Sequence, residues 1–130
     1  MKNILPLIAV SLSLSACATG YGRGGGLSHG FTDSHLQGDT FLISFSGNGF
    51  TGIGRVKDYA LLRCAEVAMN NGYGFFIIEK SKTRGAFPPL LQKPYAEYSI
   101  RGMNASAAGA YDARNIAETL RAKYGLNTAR

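Results

Sequence analysis

The sequence predicts an α+β domain, a two-layer βαββα sandwich in which a small three-stranded mixed sheet carries two helices on one face. Two observations lead to this prediction. Short stretches of alternating apolar and polar residues are separated by glycine and proline, and two longer stretches repeat their apolar residues at helical spacing. A length of 130 residues accommodates one such domain at most.

The first predicted unit is a strand followed by a helix. Alternate residues from Asp39 to Phe45 are strongly apolar, which indicates a strand with one buried face. The helix is expected from about Gly54 or Arg55 to Asn71, with Thr51 or a neighbour as its N-cap and Gly72 as its stop. Its polar positions share one narrow arc, which is expected to be a solvated face and comprises Arg55, Tyr59, Arg63, Glu66 and Asn70.

The remaining elements follow the same patterns. Gly74 to Lys80 is apolar on both faces, as in a central strand that runs parallel to the first through a right-handed helical crossover. Ser81 to Pro94 is predicted to be a loop because glycine and proline interrupt it. Tyr95 to Arg101 alternates and predicts an antiparallel strand, and a second helix is expected from Tyr111 to Tyr124 with Gly125 as its cap.

The N-terminus has the features of an export signal. An apolar run of about a dozen residues, Ile4 to Leu14, is shorter than the roughly 20 residues of a membrane-spanning helix. It ends in Leu14-Ser15-Ala16-Cys17, which resembles the lipobox of bacterial lipoproteins. The resemblance implies that residues 1–16 are a cleaved signal peptide and that Cys17 carries fatty acyl chains such as palmitate. The alternative is an ordinary secretory signal that is cut near Ala18.

The lipobox resemblance also implies a location and an organisation. Ala18 stands where lipoproteins of the inner membrane typically carry aspartate, which favours the outer membrane of a Gram-negative bacterium, facing the periplasm. The implied partners are the membrane, through Cys17, and the lipoprotein-processing and sorting machinery. We expect a flexible glycine-rich tether at 17–36, with a root-mean-square reach of roughly 25 Å, a periplasmic domain at 37–126 and a disordered tail at 127–130.

Charge and cysteine usage narrow the classes of partner. The formal charge is +6, or +5 without Lys2, but the cations are scattered along the chain. A nucleic-acid-binding protein needs a concentrated basic patch, so no nucleic acid is expected. The charge is compatible with an envelope protein or peptidoglycan as partner. With Cys17 acylated, Cys64 has no partner in the chain, and its apolar helical context predicts a buried residue and not a reactive thiol.

A glycine-rich turn follows the first strand. Gly47 to Gly52 matches G-x-G-x-x-G between a strand and a helix, and Glu79 ends the next strand where a ribose-binding acid would stand. The mature chain is too short for a dinucleotide-binding fold, Gly52-Ile53-Gly54 delays the helix start, and the protein is exported. We therefore expect no nucleotide cofactor and interpret the motif as a tight turn that uses the conformational freedom of glycine.

Candidate catalytic and metal-binding residues are few. His29, Asp33 and His35 are a weak ligand set because they lie in the approach to the first strand. No Ser-His-Asp arrangement and no H-E-x-x-H motif is present. We therefore predict no catalytic residue, no metal ligand and no cofactor.

The mature chain as a whole resembles a family of small, functionally uncharacterised proteobacterial lipoproteins. The motifs that carry the resemblance are Gly30-Phe31-Thr32-Asp33, Asp39-Thr40-Phe41, Phe45-Ser46-Gly47-Asn48-Gly49-Phe50-Thr51, Tyr59-Ala60-Leu61-Leu62-Arg63-Cys64-Ala65-Glu66, Gly72-Tyr73-Gly74-Phe75-Phe76 and Ala110-Tyr111-Asp112-Ala113-Arg114. It departs from the family pattern at Gly52-Ile53-Gly54. The family has no established activity, so the resemblance implies no catalytic residues.

These observations favour a non-enzymatic periplasmic domain that binds or organises envelope components. The expected contact surface combines the turn, the polar arc of the helix and a proline-rich loop: Asn48, Phe50, Thr51, Arg55, Tyr59, Arg63, Phe87, Pro88 and Pro89. One alternative is a small-ligand site, for a nucleotide or a metal, or an enzymatic site at Gly47 to Gly52. Another is a purely structural spacer.

Overall fold

The computed structural model describes residues 20–24, 30–48, 51–85 and 93–126. Within them the strands are β1 (Gly30–Gln37), β2 (Thr40–Ser46), β3 (Phe75–Arg84), β4 (Tyr95–Met103) and β5 (Tyr111–Asp112). The helices are α1 (Ile53–Asn70) and α2 (Ala113–Tyr124). Several predictions fall on residues outside the described ones: the predicted signal peptide 1–16, Cys17, His29, Phe50, the loop residues Phe87, Pro88 and Pro89, and the predicted tail 127–130.

The protein has one sheet of five strands in the order β1-β2-β4-β3-β5, and every neighbouring pair is antiparallel. The α+β class therefore holds, but the prediction of a small three-stranded mixed sheet is wrong. Strands β2 and β3 run in the same direction because each is antiparallel to β4, yet β4 separates them. The helical crossover from β2 to β3 thus skips one strand position.

The missing strands had weak sequence signals. Only the first two residues of β1 are buried, and the rest of that strand is partly or fully exposed, so its sequence pattern does not distinguish 30–36 from a tether. Strand β5 has only two residues, and β3 continues as far as Arg84 through exposed polar residues whose sequence predicts a loop. Edge strands bury little, so apolar alternation does not reveal them.

The core lies between the helices and one face of the sheet. Helix α1 packs against β2, β3 and β4, and α2 packs against α1. The largest fully buried side chains include Ile43, Phe45, Leu62, Phe76 and Ile100. Burying a side chain of this size typically contributes about 1.5–3 kcal/mol, so these contacts hold the two layers together.

The capping residues define where the two helices begin and where α2 ends. Gly52 is the N-cap of α1 but makes no side-chain cap, and α1 begins earlier than expected, at Ile53. Asp112 caps α2 by accepting a hydrogen bond from the backbone N–H of Asn115 at 3.2 Å. Gly125 follows α2 with φ 64°, which confirms it as the left-handed C-cap. Within the described residues, neither helix is long and apolar enough to cross a bilayer.

Candidate functional site

The segment 20–24 is attached to the outer edge of β1. The backbone N–H of Gly24 donates to the Phe31 carbonyl at 2.8 Å, and the N–H of Phe31 donates to the Gly22 carbonyl at 2.7 Å. Arg23 thereby forms a parallel bridge with Phe31. Gly30 has φ 134°, and a Cβ there would lie 2.4 Å from the Gly22 oxygen, so this close approach requires glycine. The segment covers part of an otherwise open sheet edge.

Tyr21 fixes this segment to the hydrophobic core. Its ring centroid lies 5.1 Å from that of Phe31, 6.5 Å from that of Phe45 and 5.3 Å from that of Tyr59. The stacked arrangement with Phe45 and the edge-on arrangement with Tyr59 are the favourable aromatic geometries. The residue therefore packs as part of the folded domain.

The phenol of Tyr21 also belongs to a group of paired polar side chains, which we call the ion-pair cluster: Tyr21, Arg23, Asp33, Arg63, Glu66 and Arg121. It donates a hydrogen bond to Glu66 Oε1 on α1. The same carboxylate accepts from Arg121 of α2 at 2.8 Å and from Arg63 at 3.3 Å. Glu66 and Arg121 are each less than a fifth exposed, so the cluster joins three elements at a largely desolvated point.

Arg63 extends the cluster to β1. Its Nε donates to Asp33 Oδ2 at 2.7 Å, and Arg23 contacts the same oxygen at 3.2 Å. The Arg63 guanidinium also lies 4.3 Å from the centre of the Phe31 ring, a cation–π contact. These contacts tie α1, β1 and the docked segment together.

Two pKa shifts reflect this environment. Burial raises the pKa of Tyr21, and its hydrogen bond to Glu66 raises it further. Burial by itself lowers the pKa of Arg63, but the hydrogen bond and charge of Asp33, with Glu66, outweigh burial and hold the pKa above its ordinary value. The surroundings therefore favour the neutral, hydrogen-bond-donating form of Tyr21 and the charged form of Arg63.

A cleft of about 640 Å³ lies beside the cluster. Phe31, Met69 and Leu126 contribute apolar lining, and Arg63, Glu66 and Arg121 contribute charged lining. Because these charged groups are already paired with one another, their positions are explained by the packing of the domain. These ion pairs connect the two helices and stabilise their packing.

The expected polar arc of α1 is only partly a surface, which corrects its interpretation as a solvated face. Tyr59 is only 4% exposed and contacts the rings of Phe45 and Tyr124. Arg63 is held by the cluster, with 14% of its side chain exposed. Arg55 is exposed and lies over the Tyr124 ring at 5.3 Å. The docked segment and α2 cover the positions that isolated helical periodicity leaves open.

The glycine turn closes on itself in its described part. The Thr51 hydroxyl donates to Asn48 Oδ1 at 2.9 Å, and the Thr51 N–H donates to the Asn48 carbonyl at 3.1 Å. A Cβ at Gly47 would lie 2.7 Å from Thr51 Cβ, so close packing requires that glycine. Glu79 pairs with Arg101 at 3.6 Å, at the bulge of β3. The structure thus brings Asn48 and Thr51 together across the turn.

Contacts within the domain account for the positions of His35 and Asp33, and Cys64 is buried. His35 stacks on Phe41, and its Nε2 lies 2.6 Å from the Gly38 carbonyl, while Asp33 belongs to the ion-pair cluster. In the part of the chain that the structure describes, no group of three or more histidine, cysteine or acidic residues is placed to hold a metal. Cys64 is fully buried, and burial raises the pKa of its thiol well above the ordinary value.

The sheet face away from the helices forms a second polar surface, which we call the open face. Lys80, Lys82 and Arg84 alternate along β3 and are exposed. Across the strands, Lys82 is in register with Glu97, and Lys80 with Ser99. Serine and threonine from β1 and β2 continue this face, with a hydroxyl contact of 2.6 Å between Thr32 and Ser44. It combines hydroxyl groups with a row of cations.

The sequence interpretation missed Tyr21, Asp33 and Arg121 as members of the cluster. The available signal was the composition of the glycine-rich stretch, because Tyr21 and Arg23 are the only large side chains between Cys17 and Leu27. A purely flexible tether has no need of an aromatic residue there.

No family model, curated protein or solved structure matches this chain.

Proposed function

We propose that the protein is an outer-membrane-anchored periplasmic lipoprotein whose domain binds or organises an envelope component without catalysis. The single observation that carries the proposal is the docking of residues 20–24 onto the folded domain, beginning three residues after the lipobox-like Leu14 to Cys17. An anchored domain gains from such an arrangement, because it defines how the domain leaves its anchor. The paired charges around Glu66 support a structural role for these partly buried charged groups.

The anchor is tested by metabolic labelling. Wild-type protein grown with labelled palmitate should incorporate the label and fractionate with the outer membrane. Cys17→Ser should incorporate none and should be released into the soluble periplasmic fraction or remain uncleaved. The control is Cys64→Ser, which keeps Cys17 and should be labelled like the wild type. Unlabelled wild-type protein, or equal labelling of Cys17→Ser, would refute the lipoprotein assignment.

The open face supports an anionic envelope component as the ligand. Lys80, Lys82 and Arg84 form a row of exposed cations on a sheet face that also presents hydroxyl groups. Peptidoglycan offers both carboxylates and sugar hydroxyls, which match these donors and acceptors. Acidic groups attracted in this way bind more weakly as the salt concentration rises, since exposed charges are screened.

Peptidoglycan binding is tested by sedimentation with purified sacculi. The wild type should co-sediment at low salt and less at high salt, and the double variant Lys80→Glu/Lys82→Glu should co-sediment several-fold less. The matched control, Lys57→Glu/Arg114→Glu, makes the same change of charge at exposed helix positions and should retain binding. Equal loss in both variants would show that only net charge matters, and no sedimentation of the wild type would exclude this ligand.

Photo-crosslinking in living cells compares the open face with the contact surface that the sequence predicts. A photo-crosslinking residue at Lys82 reports on the open face, and one at Arg55 reports on the exposed start of α1. The proposal expects crosslinks to envelope material from Lys82. Crosslinks from Arg55 alone would transfer the binding role to the turn and helix surface that includes Asn48 and Thr51.

A further inference from the structure

Little chain separates the proposed anchor from the docked segment. Only residues 18–20 lie between Cys17 and Tyr21. An extended chain advances at most about 3.3–3.6 Å per residue, so the Cα atoms of these two residues are no more than about 14 Å apart. A free tether of 20 residues would instead have a root-mean-square reach of roughly 25 Å. Docking therefore shortens the connection between lipid and domain.

Several independent contacts hold the end of this connection that lies on the domain, residues 21–24. Two backbone hydrogen bonds join Gly22 and Gly24 to Phe31, and the Tyr21 phenol bonds to Glu66. The side chain of Arg23 adds an ion pair with Asp33, although it remains 58% exposed. The domain cannot move further from its anchor than residues 18–20 allow without breaking these contacts.

The position of the segment in the sheet sets a direction. It lies outside β1 at one edge, and β5 lies at the opposite edge. Neighbouring strands are about 4.8 Å apart, so four intervals separate β1 from β5 by about 19 Å. A short connection at the β1 edge brings that edge to the lipid headgroups and leaves the β5 edge further away. The exposed Arg23 cation suits a surface of anionic headgroups.

We propose that the docked segment 20–24 holds the β1 edge of the domain against the surface of the bilayer that carries its lipid anchor. The loop at 104–110, before β5, then faces the periplasm. This orientation rests on the proposed acylation of Cys17. It replaces a freely moving domain with one that presents a defined side outward.

Headgroup quenching tests the orientation. The full-length acylated protein is reconstituted in vesicles of phosphatidylethanolamine and phosphatidylglycerol that carry a nitroxide on some headgroups. A fluorophore is attached to Ser34→Cys on β1 or to Ser106→Cys in the distal loop, both at exposed positions, while the buried Cys64 does not react. The label at position 34 should be quenched several-fold more than the label at 106. Equal quenching, or stronger quenching at 106, would overturn the proposal.

Two tyrosine variants test the role of docking. Tyr21→Ala should abolish the difference between the two labels, and Tyr21→Phe, which keeps the ring, should give an intermediate difference and serves if Tyr21→Ala does not fold. The control is Tyr95→Phe, which removes another tyrosine–carboxylate hydrogen bond, from Tyr95 to Glu97, and should leave the difference unchanged. An unchanged difference in both Tyr21 variants would refute the docking mechanism.

Vesicle flotation separates this proposal from the proposed function. Protein that floats but shows equal quenching overturns only the orientation. Protein that does not float, or Cys17→Ser protein that floats equally well, overturns the lipid anchor and the orientation with it.

Discussion

The phenol of Tyr21 donates a hydrogen bond to the carboxylate of Glu66, 45 residues further along the chain. The bond joins the glycine-rich segment after Cys17 to the centre of α1. Glu66 also binds Arg121 of α2, so one carboxylate connects the start of the described chain with its last helix. This contact makes the segment part of the domain and not only a connection to it.

Loss of the Tyr21 contacts should destabilise the domain in two steps. Tyr21→Phe removes a hydrogen bond to a charged group and should lower the free energy of unfolding by about 1–2 kcal/mol. Tyr21→Ala also removes the ring from its aromatic contacts and should cost about 2–4 kcal/mol, below a fully buried aromatic because Tyr21 is partly exposed. Urea denaturation of the non-acylated chain measures both. Equal and negligible effects would show that the segment does not contribute to stability.

Neutralising Glu66 should leave two arginines without their shared carboxylate. Glu66→Gln is expected to lower the free energy of unfolding by about 2–3 kcal/mol, less than for a fully buried ion pair because Glu66 keeps some exposure. The control is Glu118→Gln at an exposed position of α2, which should change stability by less than about 0.5 kcal/mol. A similar small effect in both variants would contradict the structural role of the cluster.

The tyrosines predict a loss of stability in alkali. Burial raises the pKa of Tyr98 to about 12, and burial with the Glu97 hydrogen bond raises the pKa of Tyr95 to about 12, against about 10 in an unfolded chain. The folded state therefore holds these protons more tightly, and its extra stability is present below pH 10 and lost as pH rises towards 12. Tyr95 is partly exposed whereas Tyr98 is buried, so the contribution of Tyr95 is the smaller one.

Denaturation at several pH values checks this sign. The free energy of unfolding should fall between about pH 10 and pH 12, and it should fall less steeply for Tyr98→Phe than for the wild type. The same slope in both proteins would show that Tyr98 does not titrate differently in the folded state.

Two glycines should respond oppositely to alanine. A Cβ at Gly102 would lie 2.3 Å from Tyr73 Cδ2, so Gly102→Ala should destabilise by about 1–3 kcal/mol through overpacking. Gly54 lies in the first turn of α1 with open space around its Cβ position, so Gly54→Ala should stabilise by about 0.4–1 kcal/mol. Thermal unfolding distinguishes the destabilisation at Gly102 from the stabilisation at Gly54.

A double variant tests the clash between Gly102 and Tyr73. The combination of Gly102→Ala with Tyr73→Ala should destabilise the domain by less than the sum of the single changes, and strict additivity would exclude the clash.

The fold was predictable where the chain carries strong local patterns. The alternation in β2 and β4 and the helical spacing of α1 and α2 indicate an α+β domain, and Gly125 marks the end of α2. The strand order was not predictable, because β4 enters between β2 and β3 through pairings that are distant in sequence. Local periodicity contains no information about which strand a given strand will pair with.

The cluster was hidden for a related reason. Arg63 reaches Asp33 across 30 residues, and Arg121 reaches Glu66 across 55, so neither pair has a local signature. On the helix alone, Arg63 and Glu66 have the spacing of a solvated pair. Only the tertiary arrangement of β1, α2 and the docked segment covers them. The prediction that Tyr59 lies on the surface is wrong because the same elements cover its position.

The most direct test of the central claim, that residues 20–24 belong to the folded domain, is amide hydrogen exchange at Phe31. Its N–H donates to the Gly22 carbonyl at 2.7 Å on the outer edge of β1, where water has access if the segment is not docked. We predict exchange slower by orders of magnitude than in an unstructured peptide, and fast exchange in Tyr21→Ala while the buried Ile43 stays protected. Fast exchange of Phe31 in the wild type, with Ile43 still protected, would contradict the account.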